Sequence, residues 1–153
     1  MIKEAYEYKS VNRKTVYVFV SEGQNKRVPK MVTFSPIGSK LWNLGFGDWQ
    51  SDGSIDDSVI SNNHDLIKVI STVAKITYEF SEKYPLRTLQ IKPVDEKRKQ
   101  LYNHVFRRNY DIINANFEIT GINSLNGIIK EQYSPEKTYN SFELKRRLNN
   151  EQR

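Results

Sequence analysis

Residues 44–65, LGFGDWQSDGSIDDSVISNNHD, gather five aspartates, Asp48, Asp52, Asp56, Asp57 and Asp65, in a stretch with no lysine or arginine. Oxygen donors at that density raise two chemistries, divalent-metal ligation or a carboxylate site. From Asp48 the register Asp48, Gln50, Asp52, Gly53, Ser54, Asp56 partly follows a calcium loop. The place of its bidentate glutamate, however, is Val59, and no second helix follows at the right distance. No metal is therefore assigned. The local alternative makes Asp52-Gly53 a turn, has Asp56 or Asp57 bond turn amides, and uses Asn62 or Asn63 to cap a helix whose first turn holds Asp65. Trp49, at the mouth of the stretch, is the aromatic expected to make an exposed contact.

The cationic counterpart lies further on. Arg98 and Tyr102 are four residues apart, so on a helix they share a face and can meet one ligand. That ligand is either a phosphate or a carboxylate of the acidic loop, since an arginine fork suits both. His104, Arg107 and Arg108 fall on another arc, toward solvent, where the two arginines add to a basic binding surface. The two histidines, His64 and His104, have no partner readable from spacing. No nucleophile elbow, phosphate loop, paired-histidine helix or dinucleotide fingerprint occurs. No catalytic residue is assigned, and the pattern leaves open whether the protein is an enzyme.

Composition narrows the classes. The 153 residues contain no cysteine, which excludes disulfides, thiolate metal sites and cysteine nucleophiles. No cofactor is expected. No apolar run approaches the roughly 18 residues that span a bilayer, and MIKEAYEYKS lacks a signal-peptide core, so a cytoplasmic protein without a membrane role is expected. The net charge of +6 is uneven: residues 1–84 carry 11 basic and 10 acidic side chains, and residues 85–153 carry 13 and 8. The excess in the second half favours a polyanionic partner, nucleic acid or an acidic protein.

The elements that must hold these residues can be read from periodicity. AYEYKSV, KTVYVFVSE, RVPKMVTFSPI and KLWNLGF read as four consecutive strands with short turns, an antiparallel meander. From Asp65 to Tyr84 the apolar residues Leu66, Val69, Val73, Ile76 and Phe80 recur at helical spacing, with Ile67, Ile70 and Ala74 widening the stripe; Pro85 ends the helix. RTLQIKPV predicts a strand. DEKRKQLYNHVFRRNYDIINAN predicts one helix capped by Asp95, its inner face formed by Leu101, Val105 and Ile112. NFEITGI predicts a further strand, with Gly121 at a bulge or turn near its end. The order ββββ-α-β-α-β implies an α/β (α+β) protein with a mixed, mainly antiparallel sheet and two principal helices. Residues 1–122 form the expected core domain. Residues 123–153 form a partly ordered C-terminal extension docking on it, in which TYNSFELKRRLNNEQR is either a short helix or a frayed end.

NLGFGD at 43–48, DDSVISNNHD at 56–65, KVISTVA at 68–74 and RKQLY at 98–102 resemble a family of small bacterial proteins known as a domain of unknown function. The resemblance implies one compact domain and a special role for residues 43–65, and no activity. His64 stands where that family tends to carry glycine, which argues against a shared catalytic role for it. More distantly, the element order is similar to the back two-thirds of the acyl-CoA-dependent N-acetyltransferase fold. That fold holds the CoA pyrophosphate in a glycine-rich turn before a helix. Here the matching connector is longer and carries five carboxylates where two phosphates would sit, and each close like-charge pair costs on the order of 1 kcal/mol.

The functional expectation is a non-enzymatic binding or regulatory module for nucleic acid or an acidic protein. The alternative is a small enzyme or toxin of the toxin–antitoxin type, acting on RNA or another phosphorylated substrate through Arg98, Tyr102 and the acidic loop. Acyl transfer stands third.

Overall fold

A computed structural model describes residues 4–23, 26–49, 55–56 and 65–148. The chain divides into two compact units, one of residues 2–35 and 44–84, the other of residues 36–43 and 85–153.

In the first unit, β1 (Lys9–Val11), β2 (Val16–Glu22), β3 (Arg27–Pro36) and, from Leu44 on, β4 (Leu41–Trp49) follow one another in space, and β5 (Ile55–Asp56) pairs with β4. The first two pairings are antiparallel, with Val18 opposite Lys9 on one side and Met31 on the other. Strand alternation sends Tyr17, Phe19 and Ser21 of β2, and Val28, Lys30, Val32 and Phe34 of β3, to one buried face. Helix α1 (Leu66–Lys83) belongs with that face: the rings of Phe34 and Phe80 stack at 3.9 Å. Tyr6 donates its amide to Thr72 Oγ1 at 2.8 Å, and the Tyr8 hydroxyl donates to Glu79 at 2.9 Å.

The buried stripe of α1 differs from the one its apolar spacing predicts. Leu66, Ile67 and Ala74 are exposed, while Ser71, Thr72, Thr77 and Ser81 are buried beside Val69, Ile76 and Phe80. The hydroxyls of Thr72, Thr77 and Ser81 bond back to carbonyls one turn earlier, so small polar residues enter the packed face without an unmet donor.

The second unit holds the first three residues of β4, β6 (Thr88–Ile91), α2 (Glu96–Arg108), α3 (Tyr110–Asn116), β7 (Phe117–Asn123), β8 (Ile129–Gln132) and β9 (Ser141–Arg146). Its strand order is β4-β6-β9-β7-β8. The β4–β6 pairing is parallel, with Trp42 opposite Leu89, and the other three are antiparallel. The protein is thus α+β with a mixed, mainly antiparallel sheet, as the periodicity predicts. Leu89, Ile119, Phe142 and Leu144 line up on one face, where Phe106 of α2 stacks on Phe142 at 4.2 Å.

Three expectations change here. The long second helix is two, broken at Asn109, whose side chain bonds Val105 O. The buried residues of α2 are Arg98, Asn103 and Phe106 rather than Leu101 and Val105, and Ile112 of α3 is exposed. Residues 123–148 hold β8 and β9: the stretch from Thr138, expected as a short helix or a frayed end, carries β9, which lies between β6 and β7. The burial of Asn103 has a reason: its amide gives and receives one bond each with the Tyr139 backbone, at 2.9 and 2.8 Å, as a strand neighbour would. Gly121 marks no bulge. It sits in regular pairing opposite Phe142 and Glu131, and a Cβ there would overlap the Tyr139 ring.

Candidate functional site

The aspartates of the 44–65 stretch separate in the structure. Asp48 lies within β4, because the strand continues through Trp49 instead of ending before the acidic run. Its carboxylate pairs with Lys30 at 2.5 Å, and both side chains are largely buried, 6% and 15% exposed. Lys30 also lies 6.0 Å from the centroid of the Phe46 ring. The sequence reading looked for a partner in the basic C-terminal half; the partner is a β3 lysine of the same unit. Its signal was legible, since Lys30 occupies the apolar row Val28, Lys30, Val32, Phe34.

Asp65 takes the N-cap position of α1, where Asn62 or Asn63 was expected, and its side chain makes no cap bond. Instead it accepts hydrogen bonds from the hydroxyls of Tyr6, at 2.5 Å, and the fully buried Ser21. Burial raises the Tyr6 phenol above its ordinary range, and the Asp65 bond adds to the rise. Asp48 and Asp65 therefore fix β2, β3, β4 and the start of α1 in one unit. Asp52, Asp57, Asn62, Asn63 and His64 lie outside the described residues, and Trp49 and Asp56 are described only as members of β4 and β5. Among the described residues, no group of three or more histidine, aspartate or glutamate side chains is placed to hold a metal ion.

Arg98 is buried and does not project outward from α2. Asp95 caps the helix as expected, accepting the Arg98 amide at 2.8 Å, and its second oxygen takes the Arg98 guanidinium at 2.9 Å. Tyr102 is half-buried. Arg107 and Arg108 are exposed in the last turn of α2, and His104 is exposed one turn earlier.

A different group comes together in the second unit. A cleft of about 290 Å³ is lined by Tyr110, Asn114, Glu118, Thr120, Gln132, Tyr133 and Arg147, with Ile119 between them. The break at Asn109 is what turns Tyr110 and Asn114 to this position, and the end of β9 delivers Arg147. Tyr110 and Tyr133 stack with centroids 5.8 Å apart. Arg147 is anchored to Asn114, its Nε donating to the carbonyl at 2.7 Å and Nη2 to the side-chain oxygen at 2.8 Å. Arg107 stands nearby, its Nε on the Pro135 carbonyl at 3.0 Å. Burial raises the Tyr133 phenol and the Arg107 charge opposes the rise. The Tyr133 hydroxyl is buried with no hydrogen-bond partner among the described residues.

Charge at this cleft is mixed: Glu118 lines it together with Arg147, and Lys145 lies opposite Glu118 in the β7–β9 ladder. Elsewhere Lys14, Arg27, Lys30, Lys68, Arg98, Lys130 and Lys137 each reach a carboxylate. Among the described residues, the exposed Arg107, Arg108, Lys145 and Arg147 form no such pair, and neither do the exposed Lys9, Arg13, Lys40, Lys75, Lys83, Lys92 and Lys97. The sequence reading singled out Arg107 and Arg108 but missed Lys145, Arg147, Tyr110 and Tyr133. The run Lys145-Arg146-Arg147 was the available signal, and it stayed unplaced because the tail was not read as a strand.

The fold and this site define a basic α+β protein with a tyrosine-lined cleft. The chain belongs to the family of unknown function DUF6934, which matches residues 2–147. No curated protein and no solved structure matches it. Among the described residues, no helix is long and apolar enough to cross a membrane.

Proposed function

We propose that this protein is a non-enzymatic, cytoplasmic binding module for nucleic acid, and that its second unit makes the contact. The observation that carries this reading is a cleft walled by stacked tyrosines and lined by Arg147, with exposed Arg107, whose charge acts on Tyr133, and exposed Lys145, opposite Glu118 in the β7–β9 ladder, beside it. Cations whose charge no carboxylate offsets retain their attraction for phosphates, and aromatic faces beside them suit bases. An acidic protein surface would match the charge but does not call for an aromatic face, which every base stacks on. An enzymatic role built on Arg98 and Tyr102 has less support, because Arg98 is buried against Asp95 in its own helix.

Binding of the purified protein to mixed single- and double-stranded RNA and DNA, titrated against salt, tests the reading. Affinity should fall linearly with the logarithm of salt concentration. The double variant Arg107→Gln, Lys145→Gln should lower the slope by about two. Absence of binding to every nucleic acid at low salt would sink it.

A further inference from the structure

The cleft distinguishes a base from a bare anion. We infer that it receives one unpaired nucleobase of a single-stranded polynucleotide, with the flanking phosphates on the surrounding cations; this rests on the nucleic-acid reading above.

Three features of the lining argue for it. A volume of about 290 Å³ is ample for one planar base and too small for a duplex, whose width is on the order of 20 Å. Its edge groups are of both kinds: the Glu118 carboxylate accepts, the Asn114 amide donates, and Gln132 and Thr120 do both. Unpaired bases present N–H donors and carbonyl or ring-nitrogen acceptors side by side, and are read on those edges. The Glu118 carboxylate would repel a phosphate inside the cleft but accepts readily from a base N–H. The cations accordingly belong to the rim, with Arg147 held to one side by Asn114.

The stack supplies the remaining contact. Tyr110 is half-buried against the buried Tyr133, so its position is fixed while part of the ring stays accessible. A base on a fixed aromatic face gains roughly 1–3 kcal/mol, about five- to 150-fold in affinity.

The test compares single-stranded RNA and DNA homopolymers, a duplex of equal length, and inorganic polyphosphate, using the intact protein and two variants. Single strands should bind more tightly than duplex at equal salt. Tyr110→Leu should lose roughly tenfold on single strands with polyphosphate binding unchanged. Glu118→Gln, a surface change that leaves the fold intact, should reorder the homopolymers by base without weakening polyphosphate binding. If single strand, duplex and polyphosphate bind alike, or neither variant alters single-strand binding, the base pocket is refuted while the basic surface stands. If no nucleic acid binds at all, both readings fall.

Discussion

Tyr139 occupies the space that a side chain on Gly121 would need. The glycine lies in the middle of β7, paired on both sides, and a Cβ built there overlaps ring carbons Cδ1, Cε1 and Cζ of Tyr139. The ring cannot swing away cheaply. Its hydroxyl donates to Glu131 at 2.7 Å and accepts the Ser134 amide at 3.1 Å, while its backbone is held by Asn103. Gly121→Ala should therefore destabilise the protein by about 2 kcal/mol or more, read from urea melts. In a Tyr139→Ser background the same substitution should be nearly neutral; an equal loss in both backgrounds would refute the contact.

The Lys30–Asp48 pair should show strong coupling. Lys30→Met leaves a largely buried carboxylate unpaired and should lower stability by about 3–5 kcal/mol. Lys30→Met with Asp48→Leu should recover most of that loss, because matched apolar side chains replace a buried ion pair at little cost. A double-mutant cycle with additive losses would show that the two residues act independently.

Alkali should unfold the protein in a defined window. Burial, reinforced by the bond to Glu79, pushes the Tyr8 phenol up to about 12 from an ordinary value of 10.0. Burial likewise raises Tyr17, where the Glu79 charge adds to it. A raised acid favours the neutral form in the folded state. Its stabilisation is complete below pH 10 and disappears as the pH rises to about 12. Denaturant midpoints should fall across that interval, and Tyr8→Phe should make the fall shallower. A flat profile would contradict the buried-phenol arrangement.

The turn between β1 and β2 should be improvable. Asn12, Arg13 and Lys14 all have positive φ, at 51°, 57° and 61°, a conformation that costs side-chain-bearing residues on the order of 1 kcal/mol each. The Arg13 carbonyl, which accepts the Tyr84 hydroxyl at 2.7 Å, is retained in any substitution. Arg13→Gly should stabilise by about 0.5 kcal/mol, the steric relief exceeding the added chain entropy. A lower thermal midpoint would show that the arginine side chain matters more than its backbone.

Sequence periodicity disclosed those elements whose apolar residues alone set the period. β2 and β3 alternate cleanly, and α1 was read over Asp65–Tyr84 from Leu66, Val69, Val73, Ile76 and Phe80, within a residue of its Leu66–Lys83 bounds, although Leu66 is exposed. It failed where polar residues take buried places: Lys30, Asn103 and the hydroxyls of α1 are buried because partners distant in sequence, or carbonyls one turn back, satisfy them. β9 was ambiguous for a related reason. Phe142 and Leu144 are its only large apolar residues, and Lys145, Arg146 and Arg147 that follow suit a helix end equally well. The break at Asn109 carries no proline or glycine, so nothing local announced it, and with it the placement of Tyr110 was lost. The cleft is assembled from α3, β7, β8 and β9, and a set of residues spread from 110 to 147 has no spacing signature.

The position of β9 has a consequence for the order of events during synthesis. β6 and β7 emerge from the ribosome well before β9, yet in the second unit they have no shared ladder; each pairs with β9. Until residues 141–146 appear, both strands present an open edge on the side that β9 will fill. The nascent second unit must therefore pass through an interval with two unzipped edges, closed in a single insertion. Charged Glu143 and Lys145 alternate with Phe142 and Leu144 along the inserted strand, so only one of its two faces can be the apolar one when it docks.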